Sequence, residues 1–279
     1  MSEIDYLLIG HLCKDLTSNG PRLGGTASFC ALTARALGLR PGILTSIAIK
    51  DDITRDLMRP LKGLPIHIVP AYRTTTFENV YRDGVRTQTL HGRADLLTPE
   101  HVPPGWEQVR IVHLAPVAQE VSYDFIGHFT GASVTATPQG WMRQWDTGGR
   151  VSFTEWPDAN AVLPQLAAVV LSEEDVEGVR ARIDRLARHA KLLIVTRGQK
   201  GSVLYRQGQR HHIPAPDVHE LDPTGAGDIY ASAFFYRLMN TGDPLEAARF
   251  ATALASASVS RIGLDSIPVP TEIARALSA

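Results

Sequence analysis

Cysteine is nearly missing: Cys13 and Cys30 are the two in 279 residues. They match no metal-ligand spacing and cannot build a disulfide framework, which excludes a stapled secreted scaffold and points to a reducing compartment. An excess of one charge is missing too. Lysine and arginine number 28 against 29 aspartates and glutamates, a net charge of −1, so no field draws the molecule to nucleic acid or anionic lipid. No apolar run reaches the ~18 residues of a membrane span, and the opening MSEIDYLLIG has no basic leader. The expectation is a cytoplasmic protein with neither a membrane nor a nucleic-acid partner. Familiar site motifs are lacking as well. There is no Walker A string, no Gly-x-Gly-x-x-Gly after a strand and no Gly-x-Ser-x-Gly, which speaks against P-loop, Rossmann dinucleotide and hydrolase-elbow chemistry. Ten histidines occur, yet none has the His-Glu-x-x-His spacing of a metal site.

What is present is a globular composition, 44% hydrophobic and 20% charged, in a chain long enough to bury a core unaided. Short continuous apolar runs read as buried strands: Tyr6 to Ile9, Ile43 to Ile47, Val109 to Leu114, Val134 to Ala136, Ala168 to Leu171 and Leu192 to Val195. Helical patterns fall between them, at Thr26 to Leu37 with Gly38 as C-cap, and at Val176 to His189 with Val179, Ile183 and Leu186 on one stripe. Such alternation predicts a doubly wound, mostly parallel α/β sheet with right-handed crossovers. Two regions differ. Tyr72 to Leu90 alternates polar and apolar residues about Asp83-Gly84, a hairpin pattern, and Lys200 to His212 forms another pair turning at Gln207-Gly208. No repeat or linker interrupts the chain. The reading is one domain over 1–279 with a small β appendage around 72–90.

The chemistry concentrates in Leu221-Asp222-Pro223-Thr224-Gly225-Ala226-Gly227-Asp228, followed by a helix-forming run from Ile229. A Gly-Ala-Gly turn at a helix start leaves backbone N–H groups unpaired with the helix dipole behind them, which is an anion cradle. Asp228 beside that cradle would repel an anion unless it has a task, and accepting a proton from an attacking hydroxyl is such a task. Taken alone, a Gly-x-Gly-Asp string favours plain helix capping by Asp228.

The eight-residue string near the C-terminus resembles the signature of the ribokinase-like (PfkB) carbohydrate kinases, and further segments match in order along nearly the whole chain. Gly10 to Asp15 resembles the family's first strand, ending in an aspartate that binds substrate hydroxyls. Leu23-Gly24-Gly25-Thr26-Ala27-Ser28 resembles its Gly-Gly substrate turn. Val195-Thr196-Arg197-Gly198-Gln199-Lys200-Gly201-Ser202 is similar to its nucleotide-side segment, and Phe250 to Ala253 through Ser260 to Gly263 to its adenine-side helix and loop.

The resemblance implies a three-layer α/β/α fold with a small β lid and transfer of the ATP γ-phosphate to a hydroxyl. It implies Asp228 as base, with Gly225, Ala226 and Gly227 completing the anion hole. Nucleotide would lie along Thr196, Gly198, Gly201, Thr224 and Thr252, and substrate along Asp15, Gly24, Gly25 and Thr26. Mg²⁺ accompanies ATP, and a potassium-like ion sits near the loops around Asp222 and Ser260. Cys13-Lys14-Asp15, Gly24 to Phe29 and Thr75-Thr76-Phe77 are most similar to the myo-inositol kinase-like branch.

Departures matter. Ser172 and Asp175 replace the family's Asn-x-x-Glu, leaving Asp175 or Glu174 as the acid that supports Mg²⁺; both also suit the N-terminus of the helix starting near Val176. Phe29 replaces a sugar-contacting asparagine, and Thr252 an asparagine often found near adenine. The short loop from Asp15 to Gly24 cannot supply long lid strands, which predicts a reduced lid and a monomer or weak dimer. His11 is a candidate partner for a substrate hydroxyl. Trp141 and Trp145 at helical spacing read as a packed face, while Gln139-Gly140 and Arg143 are similar to a Gln-Gly and Arg pattern of the family near the cleft. Three functions follow: a kinase of a small polyol or sugar, a nucleoside kinase in which Phe29 and Phe77 stack on a base, and a catalytically silent nucleotide-binding member.

Overall fold

The computed structural model describes residues 4–82 and 85–278. Its centre is a nine-stranded sheet. From one edge the strands run Ile66–Pro70, Pro41–Ile47, Tyr6–Ile9, Ile111–Leu114, Ser133–Ala136, Ala168–Ser172 and Leu193–Thr196, all parallel. Ser202–Arg206 and Gln209–Ile213 then close the other edge as an antiparallel pair. Each apolar run read as a strand is one.

The inner strands are buried on both faces, and alternate residues serve different cores. Tyr6 and Leu8 pack with Phe234, Phe235 and Phe250 beneath the helices Thr26–Ala36, Ala226–Thr241 and Pro244–Ser258. Leu7 and Ile9 pack on the opposite face with Phe125, Trp141, Trp156 and Leu186. The result is the expected three-layer α/β/α arrangement.

Four expectations need correction. The helix read from Val176 begins at Arg180, because Glu177 and Gly178 take left-handed backbone angles (φ 54° and 67°) and Glu173–Val176 forms a separate short turn. Val179 is accordingly the half-exposed N-cap rather than part of the buried stripe. Trp141 and Trp145 share no helix. Pro138–Met142 is a 3₁₀ turn and Arg143–Trp145 pairs with Val151–Phe153, so Trp141 packs on Trp156 while Trp145 lies under the lid. The strand Ile66–Pro70 lacks a continuous apolar run because it is a half-exposed sheet edge.

The fourth concerns the lid. The pair Thr76–Arg82 and Val85–Gly92 forms as predicted, with its turn at Asp83-Gly84 outside the described residues. The segment read as a short loop, however, is itself a hairpin, Cys13–Thr17 with Gly20–Gly24, and its first strand pairs in parallel with Thr76–Glu78. The lid is therefore a four-stranded sheet. Cys13, Phe77, Leu90, Val117 and Ala118 form a small apolar cluster beneath it, and Lys14 pins its base through an ion pair with Asp51 at 2.7 Å.

Candidate active site

One cleft of about 1300 Å³ runs between the lid and the ends of the central strands. Its floor is the head of the helix Ala226–Thr241. Gly225 caps that helix in a left-handed conformation (φ 80°), and a Cβ there would lie 2.3 Å from the Phe29 ring, so this position requires glycine. No side chain caps the helix. Ala226 N–H turns back to Pro223 O at 3.2 Å, while among the described residues no acceptor meets the amides of Gly227 and Asp228. These open groups, with the dipole behind them, have the chemistry an anion needs.

Asp228 stands in the first helical turn, retaining a little surface on the cleft while protein atoms enclose its carboxylate. Burial pushes its pKa up to about 6. A hydrogen bond from Thr26 opposes the rise, as does Arg143, while the nearby carboxylates Asp175 and Asp15 add to it. The group is thus mostly ionised at neutral pH and close to the range that suits a general base. Burial sets this value, and the place of Asp228 in the first turn of a helix does not hold it low.

The lid forms one wall of the cleft, where the motif resemblance implies the acceptor. Asp15 lies on the lid strand Cys13–Thr17 rather than on the first strand of the central sheet, which ends at Ile9. Gly24 is paired opposite Cys13 in the same hairpin, and a Cβ there would fall 2.0 Å from an Asp15 carboxylate oxygen. Gly24 thus makes room for Asp15 and does not line the cleft, whereas Gly25 and Thr26 do. Phe29 lines it as well, packed edge-on against Gly225. His11 does not reach the cleft. It is fully buried, with Nδ1 2.6 Å from Thr75 Oγ1 and Nε2 2.8 Å from Asp95 O, which removes it as a substrate partner.

The cleft also brings together the residues expected to meet a nucleotide, Thr196, Gly198, Gly201, Thr224 and Thr252. Thr252 is buried in the wall, its hydroxyl 3.5 Å from Ser202 Oγ, which also meets Tyr230 Oη at 2.9 Å. Asp222 stitches the loops here, accepting from Thr224 N (2.9 Å) and Gly263 N (3.0 Å). Burial would raise its pKa, but these hydrogen bonds outweigh it and hold the carboxyl below its usual range.

The candidate metal acids both line the cleft. Asp175 accepts from Ser172 N (2.8 Å) and Ser172 Oγ accepts from Glu174 N (3.2 Å), a capping box in which the unusual Ser172 and Asp175 fit each other. Among the described residues no group of three or more acids, histidines or cysteines could hold a metal by itself. Hard carboxylate oxygens in that arrangement suit Mg²⁺ held chiefly by phosphates and water.

One part of the site lay beyond the sequence reading. Arg143 donates to Val117 O (3.0 Å) and to Gln139 Oε1 (2.7 Å), and Gln139 Nε2 donates to Thr26 Oγ1 (2.8 Å). Arg143, Gln139, Thr26 and Asp228 are therefore linked side chain to side chain. The Gln-Gly and Arg pattern marked the segment, but only the fold shows what it touches.

Residues 159–272 match the family model of the pfkB family carbohydrate kinases. The cytidine kinase of Thermococcus kodakarensis is 26% identical over 260 residues, covering 87% of this chain and 91% of that protein. The inositol 3-kinase of Oryza sativa is 26% identical over 289 residues, covering 95% and 70%. A pyrophosphate-dependent kinase in the ribokinase family, solved with sulfate, superposes with a TM-score of 0.80 at 20% identity, covering 97% of this chain and 99% of that one. No helix among the described residues is long and apolar enough to cross a membrane. The match over the C-terminal segments, the kinases aligned along most of the chain and the shared ribokinase-like architecture agree with the resemblance of its motifs to the pfkB family of carbohydrate kinases.

Proposed function

We propose that this chain transfers the γ-phosphate of ATP to a hydroxyl group of a small polyol or sugar, of myo-inositol type, with Asp228 as the base. The observation that carries the reading is the pairing of an enclosed carboxylate, pKa about 6, with open amides at the head of the same helix. A hydroxyl held by Asp15 across the cleft would give its proton to Asp228, while the amides of Gly227 and Asp228 receive the phosphoryl group in line. The basic side chains lining the cleft among the described residues are Arg22 and Arg143, and neither belongs to the donor wall. Charge on the donor phosphates therefore has to be met by backbone amides and by Mg²⁺, with Glu174 and Asp175 holding its water shell. When bound, that ion neutralises phosphate charge.

A nucleoside acceptor is the second reading. The similarity to a cytidine kinase favours it, as does the amide pair Asn79 and Gln88, joined at 3.0 Å on the lid strands that line the cleft. Against stacking of a base, Phe29 is already packed on Gly225 and Arg143 lies 5.8 Å over the Phe77 ring. An acceptor panel of inositol, ribose, fructose, cytidine and adenosine, with coupled detection of ADP, separates the readings. Turnover on inositol above the rest supports the first, turnover on cytidine the second. Nucleotide binding with no turnover on any acceptor would mean a catalytically silent protein and end both.

A further inference from the structure

Between the strand Ile111–Leu114 and the cleft, the chain turns through residues 115–120. At the end of this turn Glu120 is fully buried, and its carboxylate oxygens face backbone amides. Oε1 accepts from His11 N (3.2 Å) and Val117 N (3.0 Å), and Oε2 from Val117 N (3.0 Å) and Ala118 N (2.6 Å). Burying a carboxylate is unfavourable unless such bonds satisfy it. An apolar side chain could fill the space, but only an acceptor can hold amides from two segments more than a hundred residues apart.

Both segments lead to the site. The carbonyl of Val117 receives Arg143, Arg143 holds Gln139, and Gln139 donates to Thr26, which hydrogen-bonds Asp228. His11 precedes the lid strand that carries Asp15. We infer that Glu120 is a positioning residue for phosphoryl transfer. By fixing Val117 it aims the Arg143–Gln139–Thr26 chain at Asp228, and by fixing His11 it sets the lid strand of Asp15 against the same point. The inference rests on the kinase reading above. It assigns to a residue outside the cleft the alignment of base and acceptor.

Glu120→Gln tests it with little change of volume, since one acceptor oxygen becomes an NH₂ facing an amide N–H. kcat is expected to fall at least about tenfold, since misplacement of about 1 Å at a reacting centre costs up to about 10²-fold. Nucleotide Kd by calorimetry should stay within about twofold, because the hydrogen bonds of Glu120 go to His11, Val117 and Ala118 and, among the described residues, none goes to the wall proposed for the donor. The deciding measurement is a cycle with Gln139→Ala. Two breaks in one chain are not multiplicative, so the double variant should be no more than about twofold slower than the slower single one. Multiplied losses, or wild-type kcat in Glu120→Gln, would overturn the inference. Should Glu120→Gln fail to fold, Glu120→Asp enters the same cycle with the same criteria. A crystal structure of the variant separates this question from the kinase reading. Arg143 still bridging Val117 O and Gln139 overturns the positioning role whatever the activity, and displacement of Arg143 from both supports it. A wild-type protein inactive on every acceptor instead overturns the kinase reading alone.

Discussion

The two walls of the cleft are built in opposite ways. The wall proposed for the donor comes from contiguous strings at strand and helix ends: 196–201, 222–228 and the helix carrying Thr252. Its groups are mostly backbone amides and small side chains, so its geometry follows from local turns. The wall proposed for the acceptor is assembled from the lid hairpin at 13–24, the lid strands from Thr76, and Gln139 and Arg143 of the segment 138–145. Its groups are long side chains whose positions depend on one another. A phosphate donor varies little and can be met by a fixed cradle. An acceptor hydroxyl must be presented at one angle, which needs side chains supported from several directions. Asp228 stands where the walls meet and belongs to both.

That contrast can be broken experimentally. The largest effect is expected at the junction: Asp228→Asn removes the proposed proton acceptor and should lower kcat by about 10²–10⁴-fold, with nucleotide Kd unchanged in a calorimetric titration. Unimpaired turnover would remove Asp228 as base. Next, Asp15→Ala should raise the acceptor KM by about tenfold or more while donor affinity holds, in initial-rate kinetics with either substrate varied, because a lost bond to a charged group is worth about 1.5–3 kcal/mol. Equal loss on both substrates would mean that the walls are not separable.

The pH dependence sharpens the role of the junction. With its pKa near 6 in the free protein, Asp228 should give kcat/KM an acidic limb falling about tenfold per pH unit below that value. Stability carries the opposite sign. A carboxyl whose folded pKa lies above its unfolded value binds more protons when folded, so stability falls as pH rises from about 4 to about 6 and is level above. A shift from 3.8 to about 6, at 1.36 kcal/mol per pH unit and reduced for partial exposure, amounts to about 2 kcal/mol. Asp228→Asn should therefore raise Tm by several degrees at pH 8 and scarcely at pH 4 by calorimetry. The smallest effect belongs to the donor wall, where Thr252→Val should weaken nucleotide binding only about two- to threefold, since the hydroxyl faces Ser202 rather than open cleft.

Much of the scaffold was legible because it is locally encoded. Short continuous apolar runs suit strands buried on both faces of a parallel sheet, and the glycine turn at 225–227 opens a helix here. The misreadings fall where distant chain decides. The hairpin at 13–24 has a thin apolar pattern and gains its order from pairing with Thr76–Glu78. The false helix start at Val176 overlooked a left-handed Glu177 and Gly178, a turn that apolar periodicity does not register. Arg143 and Gln139 were visible as a short pattern, but the partner of Gln139 is Thr26, over a hundred residues earlier. Glu120 had a faint signal, an acid inside the apolar stretch from Val117 to Val121 that no amphipathic helix explains.

From the amino-acid order alone came the parallel sheet, the glycine turn at the helix head and the acid beside it, because each rests on side-chain period or backbone chemistry within a few residues. Tertiary structure decided the lid's four strands, the enclosure that lifts Asp228 toward neutral pH, and the hydrogen-bonded chain that reaches it. Those depend on which remote groups exclude water from a carboxylate and which donors reach it, and a linear string does not carry such distances.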